Sequence, residues 1–196
     1  MNQTMNNKTI AIIGKSTVPK DNPSYIFSKE LSYQLVKKGY AIRHGGYAGG
    51  IMEAVSDGAA RAIKESGLDP NLNTGIPEAR FDTDYERTKG EIFLNPSKDI
   101  CERLNNIILK SDYIVVSPRG GDGTMLELQL AIHENMLGKY TGVIRPIIVC
   151  ELPEETEWTS ILNTQLKYLD NGIQSIDDCP WITVTKSLEE TLFAIK

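Results

Sequence analysis

Two glycine-rich turns carry the residue types that can hold an anion and act on what it is attached to. His44-Gly45-Gly46-Tyr47-Ala48-Gly49-Gly50-Ile51-Met52 and Arg119-Gly120-Gly121-Asp122-Gly123-Thr124-Met125-Leu126-Glu127 each follow an apolar run and open a helical pattern. A helix N-terminus offers unpaired N–H groups and the positive end of its dipole, and glycine lets a phosphate approach the backbone closely. The candidate phosphate ligands are therefore Gly45, Gly46 and Gly50 in the first turn, and Arg119, Gly120, Gly121, Asp122, Gly123 and Thr124 in the second, with Ser16 of Gly14-Lys15-Ser16 beside them. Glu127 adds a carboxylate in the first turn of the second helix. Departure of a base from ribose builds positive charge on the sugar ring, and a nearby carboxylate stabilises that charge while it orients or deprotonates water. Arg103 supplies a planar cation that can clamp a phosphate or a sugar hydroxyl.

Each of these residues also has a plainer reading. One glycine turn alone would mean little, because strand-to-helix turns use glycine for steric reasons. Thr124 and Glu127 form a T-x-x-E capping box. Arg103 follows Asp99 by four residues, the spacing of an exposed helix ion pair. Ser16 can simply close a turn, and Arg119 can be a solvated loop residue. His44 and His133 read as packed or surface side chains, Cys101 and Cys150 as inert core thiols, and Tyr47 and Tyr85 as packing groups or as rings that stack on a base.

The elements that must position these groups alternate between short β-rich runs and helical patterns, the signature of a parallel sheet covered on both faces. Strands are expected at Lys8–Gly14, Tyr40–His44, Thr74–Ile76, Glu91–Leu94, Tyr113–Ser117, Val143–Cys150 and Trp181–Val184. Helices are expected from an Asp21 or Asn22 cap to Lys38, from the first turn to Ser66, and over Asp99–Ser111, Thr124–Leu137, Trp158–Tyr168 and Ser187–Ile195. The fold class is α/β: a single-domain Rossmann-like parallel sheet with helices on both faces, spanning residues 8–196 after a disordered lead of residues 1–7. In such sheets the ligand lies beyond the carboxyl ends of the strands, where connections diverge. Neither turn reads G-x-G-x-x-G, and no G-x-x-x-x-G-K-[ST] loop occurs. The cradle suits a mononucleotide better than NAD or ATP, and no cofactor or metal is implied.

Composition narrows the partners. The 196 residues are 40% hydrophobic and 24% charged, enough for one good core, and the net charge of -5 argues against a nucleic-acid surface. No apolar run approaches the roughly 20 residues of a membrane span, and no signal peptide is visible at the start. Three widely spaced cysteines form no disulfide framework, as expected in a reducing cytoplasm.

The motifs resemble those of the LOG-type proteins, the cytokinin riboside 5'-monophosphate phosphoribohydrolases. The resembling segments are Gly14-Lys15-Ser16, Gly45 through Glu53, Gly75-Ile76-Pro77, Glu102-Arg103-Leu104 and Arg119 through Glu127, of which the last is the most specific. The resemblance implies hydrolysis of the N-glycosidic bond of a nucleoside 5'-monophosphate to free base and ribose 5-phosphate. It places the catalytic pair on Arg103 and Glu127, and it implies a homodimer. Arg119 stands where the family has proline, Tyr47 and Glu53 where it has glycines, and Leu104 where it has lysine, so the substrate does not carry over with the fold. A non-catalytic nucleotide binder or sensor and a deoxyribosyltransferase with a covalent glutamate are the alternatives. For the dimer, Leu104, Ile107, Ile108, Leu126, Leu128, Leu130, Ile132 and Met136 spread around their helices more widely than one core-facing stripe requires.

Overall fold

The computed structural model describes residues 8–196, except residues 82, 90, 91, 154–157, 169–171 and 174 and the side chain of residue 139. The lead of residues 1–7, and Glu91 at the expected start of the fourth strand, lie outside the described residues. Seven parallel strands form one sheet: β1 (Thr9–Ile13), β2 (Ala41–His44), β3 (Asn73–Gly75), β4 (Ile92–Phe93), β5 (Tyr113–Val116), β6 (Ile147–Cys150) and β7 (Ile182–Thr185). Their order is β4-β3-β2-β1-β5-β6-β7. The chain winds outward from β1 in one direction through β4, then crosses back to place β5 on the other side of β1. The connections after β1 and β5 therefore diverge and leave a crevice between them.

Strand alternation assigns the helices to faces. Ile10, Ile12, Val115 and Ile148 pack under α1 (Pro23–Lys37), α2 (Gly50–Ser66) and the C-terminal segment, whereas Ala11, Ile13, Val116 and Val149 face the other layer. That layer holds α3 (Ile100–Leu104), α4 (Asp122–Met136), followed by the short α5 (Gly138–Thr141), and α6 (Trp158–Leu166); α7 (Leu188–Ala194) closes the first face. Nearly every residue of β1, β5 and β6 is buried, which is why they read as continuous apolar runs rather than alternating ones. Asn22, not Asp21, caps α1, its side chain accepting from the Ser24 amide at 2.9 Å with Pro23 at the first helical position.

Three expectations change. The helix expected over Asp99–Ser111 is α-helical only to Leu104 and continues as a π turn over Asn105–Leu109, which brings Ile107 and Ile108 together into the core. Cys101 is exposed rather than a core thiol, while Cys150 is buried. Among the residues offered for a dimer, Leu104, Ile107, Ile108, Leu128 and Ile132 are buried within this chain, Leu130 and Met136 pack partly against the same core, and Leu126 remains 49% exposed. A helix layer central to a two-sided sheet accounts for most of that apolar spread.

Candidate active site

The crevice is bordered by the loop after β1 and the second glycine turn, and one main-chain bond stitches them together: Lys15 N–H donates to the Arg119 carbonyl at 2.9 Å. α4 starts at Asp122 with Gly121 as its N-cap. Thr124 is thus the third helical residue, and its hydroxyl accepts from the Gly121 amide at 3.3 Å. Glu127 lies a full turn further along, so the Thr124–Glu127 capping box does not form. No protein acceptor is found among the described residues for the amides of Asp122, Gly123 and Thr124, the first three of the helix. No heavy atom comes within 4 Å of where a Gly123 side chain would begin. Gly120 is needed for a different reason: the Trp158 indole occupies the place of a Cβ there, while its Nε1–H donates to the Ser117 carbonyl at 3.1 Å.

The Glu127 carboxylate is buried, and no hydrogen bond to it is found among the described residues. Burial pushes its pKa up to about 7, against the opposing pull of the Arg103 charge. Arg103 is half-buried. Its Nε donates to the Ile76 carbonyl at 3.0 Å, one terminal nitrogen donates to the Gly45 carbonyl at 3.4 Å, and the guanidinium lies 5.8 Å from the Tyr47 ring centroid. Asp99 does not pair with Arg103; it caps α3 by accepting from the Glu102 amide at 2.9 Å. The exposed ion-pair reading of Arg103 therefore fails, and its charge faces the site. The π turn begins just after Arg103, so two core residues and this arginine are served by one short helix.

The first glycine turn is engaged from within the protein. Gly46 N–H donates to His44 Nδ1 at 3.2 Å, Ala48 N–H to the Glu86 carbonyl at 2.7 Å, and Ile51 N–H to the Lys15 carbonyl at 2.9 Å. Glu53 brings a carboxylate to the amide of Gly49 at 3.0 Å and pairs with Lys20 at 2.5 Å. Gly50 has φ +55, and a Cβ on it would overlap the Lys15 carbonyl. His44 is fully buried, with Nε2 3.2 Å from Asn73 Oδ1. Because Nδ1 accepts from Gly46, the Nε2–H donates to Asn73, and burial holds the ring neutral with a pKa lowered to about 4.

Of the expected residues, Arg119, Gly120 and Gly121 form the turn after β5, Asp122, Gly123 and Thr124 open α4 with Glu127 further along it, Gly45 and Arg103 touch each other, and Ser16 is exposed on the loop after β1. Gly46 and Gly50 serve the turn itself. One residue, Lys15, escaped the sequence reading, and Tyr47, read there as a packing group or a stacking ring, is packed. Lys15 passes over the second turn, its Cγ 3.8 Å from where a Gly121 side chain would begin. A cation inside Gly14-Lys15-Ser16 was the available signal. Tyr47 is 5% exposed, and its hydroxyl accepts from the Glu78 amide at 2.7 Å and donates to the Glu78 carbonyl at 2.9 Å. Among the described residues no group of three or more His, Cys, Asp or Glu side chains is placed to hold a metal ion.

Solved structures with this architecture include the molybdenum cofactor binding protein of Rippkaea orientalis, which is 20% identical with TM-score 0.66 over 98% of this chain and 97% of that one. The Moco carrier protein of Chlamydomonas reinhardtii is 18% identical with TM-score 0.65 over 96% and 95%. DNA processing protein A of Helicobacter pylori, described with a single-stranded DNA binding mode, is 18% identical with TM-score 0.55 over 96% and 80%. At such identities the likeness is one of fold, Rossmann-like and LOG-type. A search of curated protein sequences gives no significant match. The SLOG cluster4 model, by contrast, matches residues 7–167, and the chain belongs to the SLOG cluster4 family.

Proposed function

We propose that the protein hydrolyses the N-glycosidic bond of a nucleoside 5'-monophosphate, giving free base and ribose 5-phosphate. The observation that carries this reading is Glu127, a buried carboxylate without a side-chain role in capping, held near neutrality and facing Arg103. The phosphate would sit on the free amides of Asp122, Gly123 and Thr124, with Lys15 and Arg119 above it. Anchored there, the sugar presents C1′ to Glu127. As the C1′–N bond breaks, its electron pair leaves with the base, which takes up a proton from solvent. Water adds to C1′ and gives a proton to the Glu127 carboxylate, which returns it to solvent before the next turnover. Arg103 holds a sugar hydroxyl or phosphate oxygen. The first glycine turn serves as a wall, because Glu53 already occupies the dipole end that a second phosphate would need.

A second reading is a binder that holds such a ligand without turnover. The engagement of Arg103 by the Ile76 and Gly45 carbonyls favours it, and relatives of this fold are described as carriers. Chromatographic base release from AMP, GMP, CMP and UMP, each beside its nucleoside, separates the readings. Release from a monophosphate but not its nucleoside supports the hydrolase; equal turnover of AMP and adenosine removes the phosphate anchor; tight binding without release leaves the binder. Arg103→Ala should weaken both binding and turnover. The proposal extends to a homodimer, for which light scattering should give a mass well above that of one 21.8 kDa chain.

A further inference from the structure

Three rings lead outward from Arg103 to solvent. Its guanidinium lies 5.8 Å from the Tyr47 centroid, Tyr47 lies 5.8 Å from Tyr85 with the planes tilted by 53°, and Tyr85 meets Phe81 edge-on at 5.7 Å. The inner ring is locked by the two bonds between the Tyr47 hydroxyl and the Glu78 backbone. The outer ring is held by the chain that carries it. Residues 85–88 run antiparallel to the first glycine turn: Ala48 N–H donates to the Glu86 carbonyl at 2.7 Å, Thr88 N–H donates to the Gly46 carbonyl at 3.1 Å, and Tyr47 bridges to Arg87. Tyr85 is nonetheless 57% exposed, a large aromatic face kept in water one ring beyond Tyr47 and hence two steps out from Arg103. Leaving such a ring uncovered while its backbone is pinned on both sides gives a rigid stacking platform at low entropic cost.

We propose that Tyr85 is the wall on which the planar base of the ligand stacks, with Tyr47 behind it setting the distance to Arg103. The proposal rests on the nucleotide reading above and makes it more specific: the phosphate is selected at α4, and the base by an aromatic face on the Arg103 side of the site. Stacking on one ring is tolerant of base identity and strongest for the larger purine surface, so this wall selects for ring area more than for hydrogen-bond pattern.

Titration calorimetry on the Glu127→Gln protein, which removes turnover, tests this with ribose 5-phosphate and whichever of AMP, GMP, CMP and UMP binds most tightly. Tyr85→Ala should weaken the nucleotide by roughly 5- to 100-fold and leave ribose 5-phosphate within about twofold, while Tyr85→Phe keeps the nucleotide affinity. An unchanged nucleotide affinity in Tyr85→Ala, or an equal loss for both ligands, overturns the wall. If ribose 5-phosphate binds but no nucleotide binds more tightly, the wall is overturned and the phosphate seat stands. If neither binds, the nucleotide reading falls and the wall with it.

Discussion

The two glycine turns occupy equivalent places in the fold, each joining a strand to a helix at the carboxyl edge of one parallel sheet, yet they spend their donors differently. In the first, Gly46, Ala48, Gly49 and Ile51 donate to a histidine, two carbonyls and a carboxylate of the same chain. In the second, the amides of Asp122, Gly123 and Thr124 have no protein acceptor among the described residues, and a buried carboxylate on the same helix has no hydrogen-bond donor among them. Glycine spacing reports close approach to a backbone. It does not report whether protein or ligand makes that approach.

The contrast is tested most strongly at Glu127. Glu127→Gln should lower turnover by roughly two to four orders of magnitude while nucleotide binding persists. The same substitution should stabilise the fold. With a folded pKa of about 7 against an ordinary value of 4.5, the folded chain keeps a proton between those values that the unfolded chain has lost, so stability falls as pH rises through that window. Urea melts should therefore find Glu127→Gln more stable than the wild type by roughly 3 kcal/mol at pH 8, with the gap closing near pH 4.5. A variant that loses stability and keeps activity within about threefold would return Glu127 to a structural role.

The first turn should respond in the opposite sense. Gly50→Ala forces a side chain into a left-handed conformation and against the Lys15 carbonyl, and thermal melts should show a loss of about 2–4 kcal/mol. Its histidine shifts the pH dependence the other way: folded near 4 and ordinarily 6.5, His44 is neutral in the folded chain where the unfolded chain is charged, so stability falls as pH drops through that window. His44→Gln should flatten the acid limb of the wild-type stability curve between pH 6.5 and 4, and an unchanged limb would place the sensitivity elsewhere. The smallest effect belongs to Gly123→Ala. At a helical position with open space around it, stability should move by less than about 0.5 kcal/mol, while phosphate affinity drops because a methyl group covers the free amides.

The sheet and its helices were legible in the sequence because periodicity, Pro23 after Asn22, and Gly67 closing α2 in the left-handed conformation all mark local events. That the Arg103 charge reaches Glu127 has no local signal in the sequence, since no local pattern links α3 to α4. What misled was equally local. Thr124 and Glu127 match a capping box in spacing, yet the helix begins earlier, at Asp122, because a glycine N-cap costs little and Gly121 already lies in the extended region. The π turn left no periodic trace, and the two readings of Tyr85, packing or stacking, could not be separated by sequence because the pairing of its segment with the first glycine turn is not local.

The bond from Lys15 N–H to the Arg119 carbonyl joins two lips separated by more than half of the chain. Closing a loop of that length before β1 and β5 can pair places this contact late in folding, and during synthesis the second lip emerges long after the first. The N-terminal strands and α1–α2 can assemble as a unit beforehand, but they cannot form the proposed anion seat. Ligand affinity is thus a report on completion of the sheet, and a ligand that holds this seam stabilises the whole molecule rather than one turn.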